Sequence, residues 1–578
     1  MPALIQKIAR PGLICAGLVA IHALLLAYAA AENSATFDEP SHLAAGVAYW
    51  RRGDFSIYCL SPPLLRLWAA APAVLAGAQA PDTAPVLQVI LAGRHWPYAD
   101  MFVSANLQRF EVLLMLARWG MIPLSCLAAW ITYRWASSLY GPLAGAAACA
   151  LYCFNPSILA HGALVTTDVG TATAILAAAW LWWRWCRSPS WIRWAWVCVA
   201  LVAAHLCKFT AVLLWPMMLV MAIPFVILQR GRNGRRVLAA WAGAGAVTLL
   251  LLNAVYGFRG TARAMGSFEF SSQFMQHVQQ HLPSWFPSPV PQLLINGFDA
   301  QKTDTEGGYQ GFLFGQTYTG SHWYYYPLAL LCKMPVALWA LVAAALLSLV
   351  VSVPGHSEGE LAAEWAMFAG GIVYLLGVLL LGDLNIGTRY LLPAFPFAMM
   401  FVSRLWALGG GPIPAWLHVR NGILGLMALE TLWACPNFLS FINFAAGGPG
   451  QGWQLLTDSD FDWGQGLISL RHWMRQHQVK TITPLIYFGY VDPAAYGIGY
   501  SNRIDPGGYA AFSTYYLNGL TNRFWIRPGQ RAIGGLDFAN ALRSRTPVAV
   551  VADTLFIYTT RDMEAAMIQA KARGLAGP

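Results

Sequence analysis

The chain is predicted to be a mostly α, polytopic transmembrane bundle of about eleven spans, ending in a small extracytoplasmic α/β segment. Three observations predict it. Charged residues make up only 11% of the 578 residues, while hydrophobic residues make up 57%; soluble domains carry about 25% charged residues. Residues 158–183 and 236–256 hold no acidic or basic residue beyond Asp168 and Arg236, and about 20 apolar residues suffice to cross a hydrocarbon core. Finally, the basic residues collect at every second connection between apolar runs, which is how membrane proteins encode orientation.

The elements follow in order. Lys7 and Arg10 precede an apolar run over 11–31. That run exceeds the h-region of a signal peptide, so it reads as a retained first span. Further spans are expected at 111–134, 139–155, 158–183, 191–207, 209–229, 236–256, 327–351, 364–382, 390–407 and 420–438. Re-entrant helices in the first large loop would raise the count to about thirteen. With the N-terminus inside, the inner ends carry Lys7, Arg10, Arg134, Arg184, Arg187, Arg193, Arg230, Arg232, Arg235, Arg236, Arg404 and Arg420. The segments 32–110, 155–158, 207–209, 257–326 and 383–389 then face outside, as does the tail from 439. Residues 1–438 are expected to form the membrane domain, with outer loops 32–110 and 257–326, and 439–578 the soluble one.

The outer segments have readable content. Helices lying in the interface are expected near 41–51 and 62–76. Trp285, Trp323 and Tyr324-Tyr325-Tyr326 suit a segment that touches the membrane surface or covers a ligand. The tail has soluble composition, with helices expected at 464–477 and 562–573, an alternating stretch at 482–490 and an apolar run at 547–558. The net charge of +10 resides in loops between spans and is read as topological; no nucleic acid is expected as a partner. The ten cysteines lie almost entirely in apolar runs, with no disulfide framework and no zinc spacing.

The polar residues suited to chemistry gather on the outer side. Asp38-Glu39 directly follows the first span; adjacent carboxylates serve as a general base, hold a divalent cation, or simply open a helix. Asp168 lies in the outer part of an apolar span, where a carboxylate is costly and usually functional. Lys208, Lys333, Arg389, Arg66 and Arg118 lie at comparable outer levels, Arg389 just after Asp383 and Asn385. Cations at that depth suit a lipid-linked phosphate or ordinary headgroups. Glu430, in mid-span, reads as a paired structural acid. Asp458, Asp460 and Asp462 alternate, as if to wrap a hard cation, but lack a distal Glu, so a solvated turn or helix cap is expected. No glycine-rich phosphate loop and no Ser–His–Asp arrangement occurs.

Four segments carry a family resemblance: Phe37-Asp38-Glu39-Pro40-Ser41-His42; Ser61-Pro62-Pro63-Leu64-Leu65-Arg66; Asn155-Pro156 through His161-Gly162 to Thr167-Asp168; and Asn385-Ile386-Gly387-Thr388-Arg389-Tyr390-Leu391-Leu392-Pro393. In these the chain resembles integral-membrane glycosyltransferases of the GT-C type, namely the protein O-mannosyltransferases (glycosyltransferase family 39) and the lipid A aminoarabinose transferases. Asp462-Trp463-Gly464-Gln465 is similar to an element in the soluble tail of some bacterial members. The resemblance implies sugar transfer, with inversion, from a polyprenyl-phosphate donor to an acceptor hydroxyl at the outer membrane face. It implies Asp38 as base beside Glu39, and Asp168 in support. Lys208, Arg389, Lys333 and Arg66 are the candidates for the donor phosphate; His42, His161 and Tyr390 are candidates for substrate contact. Ser61 stands where relatives often have His, and the eukaryotic β-trefoil is absent, so the acceptor stays open between protein, lipid and glycan. A bacterial inner membrane is implied. The cofactor question stays open, with a divalent ion as the candidate and Asp38, Glu39 and Asp168 as the residues to hold it. The rival readings, a transporter or flippase of lipid-linked precursors and an envelope scaffold, need polar residues spread through the bilayer or leave the outer acids and cations without a use.

Overall fold

A computed structural model describes residues 11–228, 233–350, 357–382, 384–408, 414–501, 505–520 and 536–572. Lys7, Arg10, Arg230, Arg232 and Asp383 lie outside the described residues. The chain is mostly helical. Among the described residues five helices are long and apolar enough to cross a membrane: Pro11–Glu32, Leu107–Tyr140, Phe209–Leu228, Gly234–Val255 and Glu358–Leu380. The pair Tyr325–Lys333 and Val336–Val350, bent by 115°, has the length and composition of a broken span or a re-entrant loop; the bend falls at Pro335, which cannot donate the helical hydrogen bond. The other expected spans correspond to helices that are shorter or more polar, at Pro142–Cys153, Asp168–Arg187, Trp191–His205, Phe395–Ser403 and Pro414–Trp433. The protein is an integral membrane protein.

The helices that carry the site come early. They are α1 (Pro11–Glu32), α2 (Glu39–Arg52), α3 (Leu64–Leu75), α4 (His95–Ala105), α5 (Phe110–Tyr140), α6 (Pro142–Cys153), α7 (Pro156–His161) and α8 (Asp168–Arg187). The two helices expected near 41–51 and 62–76 are α2 and α3; every residue of α2 from Glu39 to Tyr49 is buried, while α3 is buried on one face and exposes Trp68 and Leu75 on the other. Small side chains permit this. Gly46 sits so close to α3 that a Cβ there would run into the Arg66 carbonyl oxygen.

The expected continuous span 158–183 is broken. Helix α7 ends at His161, the chain then leaves helical geometry, and α8 starts at Asp168. In the gap the Val165 backbone N–H donates to Glu39 Oε1 at 2.9 Å rather than to a helical carbonyl. An apolar run read by hydropathy therefore hides a loop whose backbone is satisfied by a distant carboxylate, and Asp168 becomes a first-turn acid at a helix N-terminus, where the helix dipole favours it.

The tail contains helix Leu467–Gln476, helix Thr560–Ala572 and a four-stranded sheet. Counting strands from the N-terminus, β1 (Gln310–Leu313) and β2 (Gln316–Thr319) form a hairpin, and β3 (Thr481–Ile482) pairs with β5 (Gly499–Tyr500). The larger sheet runs β4 (Leu485–Ile486), β6 (Tyr509–Ser513), β8 (Leu555–Thr559), β7 (Ala549–Val551). Phe512 and Tyr558 of this sheet pack with Phe538, Met563 and Ala566 of two helices. Ala511, Leu555 and Ile557 belong to an apolar cluster continuous with α2 and α5. The tail thus shares a core with the helices that bear the site.

Candidate functional site

Two carboxylates and two cations meet at the N-terminal ends of α2 and α8. Asp38 is the N-cap residue of α2, and its Oδ2 lies 3.0 Å from Arg389 Nη1. Asp168 Oδ1 accepts from Lys208 Nζ at 2.8 Å, and its Oδ2 lies 3.7 Å from the same Arg389 Nη1. One guanidinium therefore bridges both acids. The Asp168 side chain is 2% exposed and that of Asp38 is 25% exposed, so Asp38 is the acid that incoming molecules reach. The Lys208 ammonium also sits 4.5 Å from the centre of the Tyr390 ring, a favourable cation–π arrangement.

These groups open into a cavity of about 570 Å³. Asp38, His42, Asp168, Lys208, Arg389 and Tyr390 all line it with Thr166 and Thr167, as do Tyr58, His95 and Trp96, which the sequence does not single out. Residues of the segment 257–326, among them Gln301, Thr303, Asp304 and Tyr309, also line it. His42 stacks on Tyr58, which in turn meets His95. Burial pushes the imidazole of His95 down to about 3 and holds His42 well below its ordinary range, the positive charge of Arg66 adding to both. Both rings are neutral at physiological pH, so the cation charge at the cavity comes from Lys208 and Arg389.

Other predicted site residues are placed elsewhere. Glu39 is fully buried and turned away from the cavity. Both of its oxygens face Arg118, at 2.8 and 2.5 Å, and it also accepts from Thr36 and Val165. The adjacent acids are thus divided: Asp38 faces the cavity, while Glu39 pins α5 and the α7–α8 gap to α2. Arg66 is committed to Ser61, Tyr49 and the carbonyls of Ser61 and Pro62, and lies over the Tyr58 ring; it shapes the wall rather than offering free donors. Lys333 Nζ donates to the Leu439 and Asp460 carbonyls at 2.8 Å each. His161 is buried against Trp463. Glu430 accepts from the backbone N–H groups of Val336 and Phe444, a structural use. Among the described residues no group of three or more His, Cys, Asp or Glu side chains could hold a metal ion. Asp38 and Asp168 instead face Arg389 and Lys208.

The Asp458–Asp462 stretch corrects the expectation of a solvated turn: all three acids are buried. Asp460 Oδ1 accepts from the Thr388 N–H at 2.8 Å and the Thr388 hydroxyl at 2.6 Å, and Oδ2 accepts from the Tyr325 hydroxyl at 2.9 Å. Asp462 accepts from Thr514 Oγ1 at 2.8 Å, and from Ser513. Gly387 adopts φ +143°, and a Cβ there would meet Ser459, so only glycine lets the two segments close. Trp463 lies under the Arg389 guanidinium, 4.4 Å from ring centre to charge. Its carbonyl accepts from the Phe37 N–H at 2.8 Å. The tail therefore sets the residues on both sides of the Asp38–Arg389 pair. The Asp-Trp-Gly-Gln motif was the sequence signal for it.

Residues 95–256 match the family model described as dolichyl-phosphate-mannose-protein mannosyltransferase. That segment contains Asp168 and Lys208. The chain is thus similar to membrane glycosyltransferases of the GT-C type. No curated protein sequence matches it. Several solved structures resemble it at low identity, three of which follow. The archaeal oligosaccharyltransferase AglB from Archaeoglobus fulgidus, in complex with an inhibitory peptide and a dolichol-phosphate, is 12% identical over 74% of this chain, with a TM-score of 0.43. This chain spans 55% of the length of that one. ArnT from Cupriavidus metallidurans bound to undecaprenyl phosphate is 11% identical, covering 96% of this chain and 98% of that one, with a TM-score of 0.30. Its apo state covers 97% and 99%, at 11% identity and a TM-score of 0.31.

Proposed function

We propose that this protein transfers a monosaccharide from a polyprenyl-phosphate donor to an acceptor hydroxyl at the outer face of the membrane, with inversion. The observation that carries the reading is the single guanidinium of Arg389 shared by Asp38 and Asp168 in the lining of one cavity. Support also comes from the family match over residues 95–256.

In this reading the donor phosphate enters beside Lys208 and Arg389 and draws the guanidinium away from Asp38. Asp38 then faces the acceptor as general base. The acceptor oxygen attacks the anomeric carbon opposite the phosphate. Its bond to that carbon forms as the bond from carbon to phosphate oxygen breaks, the proton passes to Asp38, and polyprenyl phosphate departs with the electron pair. This is the single-displacement logic of inverting glycosidases with a hydroxyl in place of water. Lys208 and Arg389 stabilise the charge growing on the departing phosphate; one such preorganised donor is worth about 10²–10³ in rate. Asp168 keeps both cations in place. Glu39, Arg66 and Lys333 act as positioning residues. The orientation with the N-terminus in the cytoplasm, the division near residue 438 and a bacterial inner membrane belong to the same reading.

The test uses purified full-length protein and a panel of radiolabelled polyprenyl-phosphate sugars, with Asp38→Asn alongside and the anomeric configuration of the product read by NMR. Turnover of one donor, an inverted product and a fall of about 10²–10⁴ in the variant are expected. Full activity in the variant removes Asp38 as the base, and a retained configuration removes single displacement.

A further inference from the structure

A second cavity lies at the other end of the bundle. It holds about 520 Å³ and is lined by Arg134, Arg184, Arg187 and Arg193 together with Trp130, Trp180, Trp183 and two serines. Arg134 and Arg184 follow Arg118 and Asp168 along α5 and α8 by sixteen residues each, which is roughly 24 Å of helix. The cavity is therefore separated from the acid–cation site by most of a hydrocarbon core.

Its chemistry is one-sided. Four arginines line the cavity and no carboxylate is among its lining residues; Arg193 also donates to the Ser188 carbonyl. Among the described residues Arg134 and Arg184 have no ion-pair partner. Each lies instead over a tryptophan, Arg134 over Trp130 at 5.9 Å, Arg184 over Trp180 at 5.1 Å, and Arg187 likewise over Trp183 at 5.0 Å. A guanidinium drawn to a ring by cation–π attraction keeps its N–H donors, which suit forked hydrogen bonds to a phosphate. Like charges gathered in one pocket repel each other, and an anion relieves that repulsion. The flanking tryptophans suit the headgroup level of a bilayer.

We propose that this cavity binds the phosphate of an anionic phospholipid headgroup, as basic pockets between transmembrane helices do. The site is independent of the sugar-transfer reading. The experiment is native mass spectrometry of delipidated full-length protein with dioleoylphosphatidylglycerol or dioleoylphosphatidylcholine, each with and without excess inorganic phosphate. Phosphatidylglycerol is expected to stay bound in preference to phosphatidylcholine and in the presence of inorganic phosphate. Arg134→Gln/Arg184→Gln is expected to lower its retention about tenfold or more. Arg134→Lys/Arg184→Lys, which keeps the charge but loses the fork, is expected to fall between the two. Equal retention of both lipids, or unchanged retention in the glutamine variant, would overturn the proposal. Displacement by inorganic phosphate would reassign the cavity to a free anion. Should the glutamine variant not purify as a monodisperse species, the lysine variant decides alone, and retention equal to wild type counts against the site.

Discussion

At the scale of single residues, two neighbouring acids divide the work. Asp38 is partly open and shares Arg389; Glu39 is sealed against Arg118. Their substitutions should separate accordingly. Asp38→Asn is expected to remove activity while leaving the melting temperature near wild type. Glu39→Gln removes one partner of a buried ion pair, which typically costs about 3–5 kcal/mol, and a large fall in melting temperature in detergent would report it. Arg389→Lys keeps a charge but cannot bridge two acids with one fork; a loss of about 10²–10³ in kcat is expected from steady-state assays. His95 gives a pH signature. Its imidazole is held down to about 3, chiefly by burial, against an ordinary value of 6.5. As pH falls below 6.5 the unfolded chain takes up that proton first, so this contribution to stability is present above 6.5 and is lost as pH falls toward 3. Melting curves from pH 7 to 5 should therefore fall more steeply for wild type than for His95→Gln, if both refold to the same cavity (about 1.4 kcal/mol per pH unit at most).

At the scale of elements, the spacing of apolar runs made the long helices legible, because a membrane span is written in composition. Helices α2 and α3 were legible too, by position. Their burial was not, since it depends on Gly46 meeting the Arg66 carbonyl, a close approach that no single segment encodes. The break between α7 and α8 was also hidden: the run up to Val165 is as apolar as a span, and the buried Val165 N–H finds its acceptor in Glu39, far away in sequence. A prediction belongs here. Gly46→Val is expected to drive α2 from α3, lowering the yield of folded protein and shifting Asp38 relative to Arg389, read as a fall in both melting temperature and turnover.

For the whole molecule, the site was half legible. Asp38, Asp168, Lys208 and Arg389 could be named because each is a charge where charges are expensive. Their meeting could not, since it joins residues hundreds of positions apart. The tail was the larger surprise: Asp460 and Trp463 reach the Arg389 segment from beyond the last expected span. Asp460→Ala strips Thr388 and Tyr325 of their acceptor, at about 1–3 kcal/mol for each buried donor left unmade. It is expected to lower kcat more than it raises KM, because Arg389 rather than the sugar pocket is displaced. Asp460→Asn, which keeps one acceptor, should restore part of the rate, a partial rescue that simple unfolding would not give.

The bridge at Arg389 has a bearing on how a catalytic cycle ends. A spent carrier keeps its phosphate, and two cations that welcome a substrate also detain a product. Asp38, once it has given up its proton, is a tethered anion at high local concentration beside the same guanidinium. Under the proposed mechanism its return to Arg389 would act as an ejector, loosening the phosphate it helped to liberate. Asp38→Asn should then hold undecaprenyl phosphate more tightly than wild type, with slower dissociation in a surface-based binding assay; equal off-rates would show that the carrier leaves unaided.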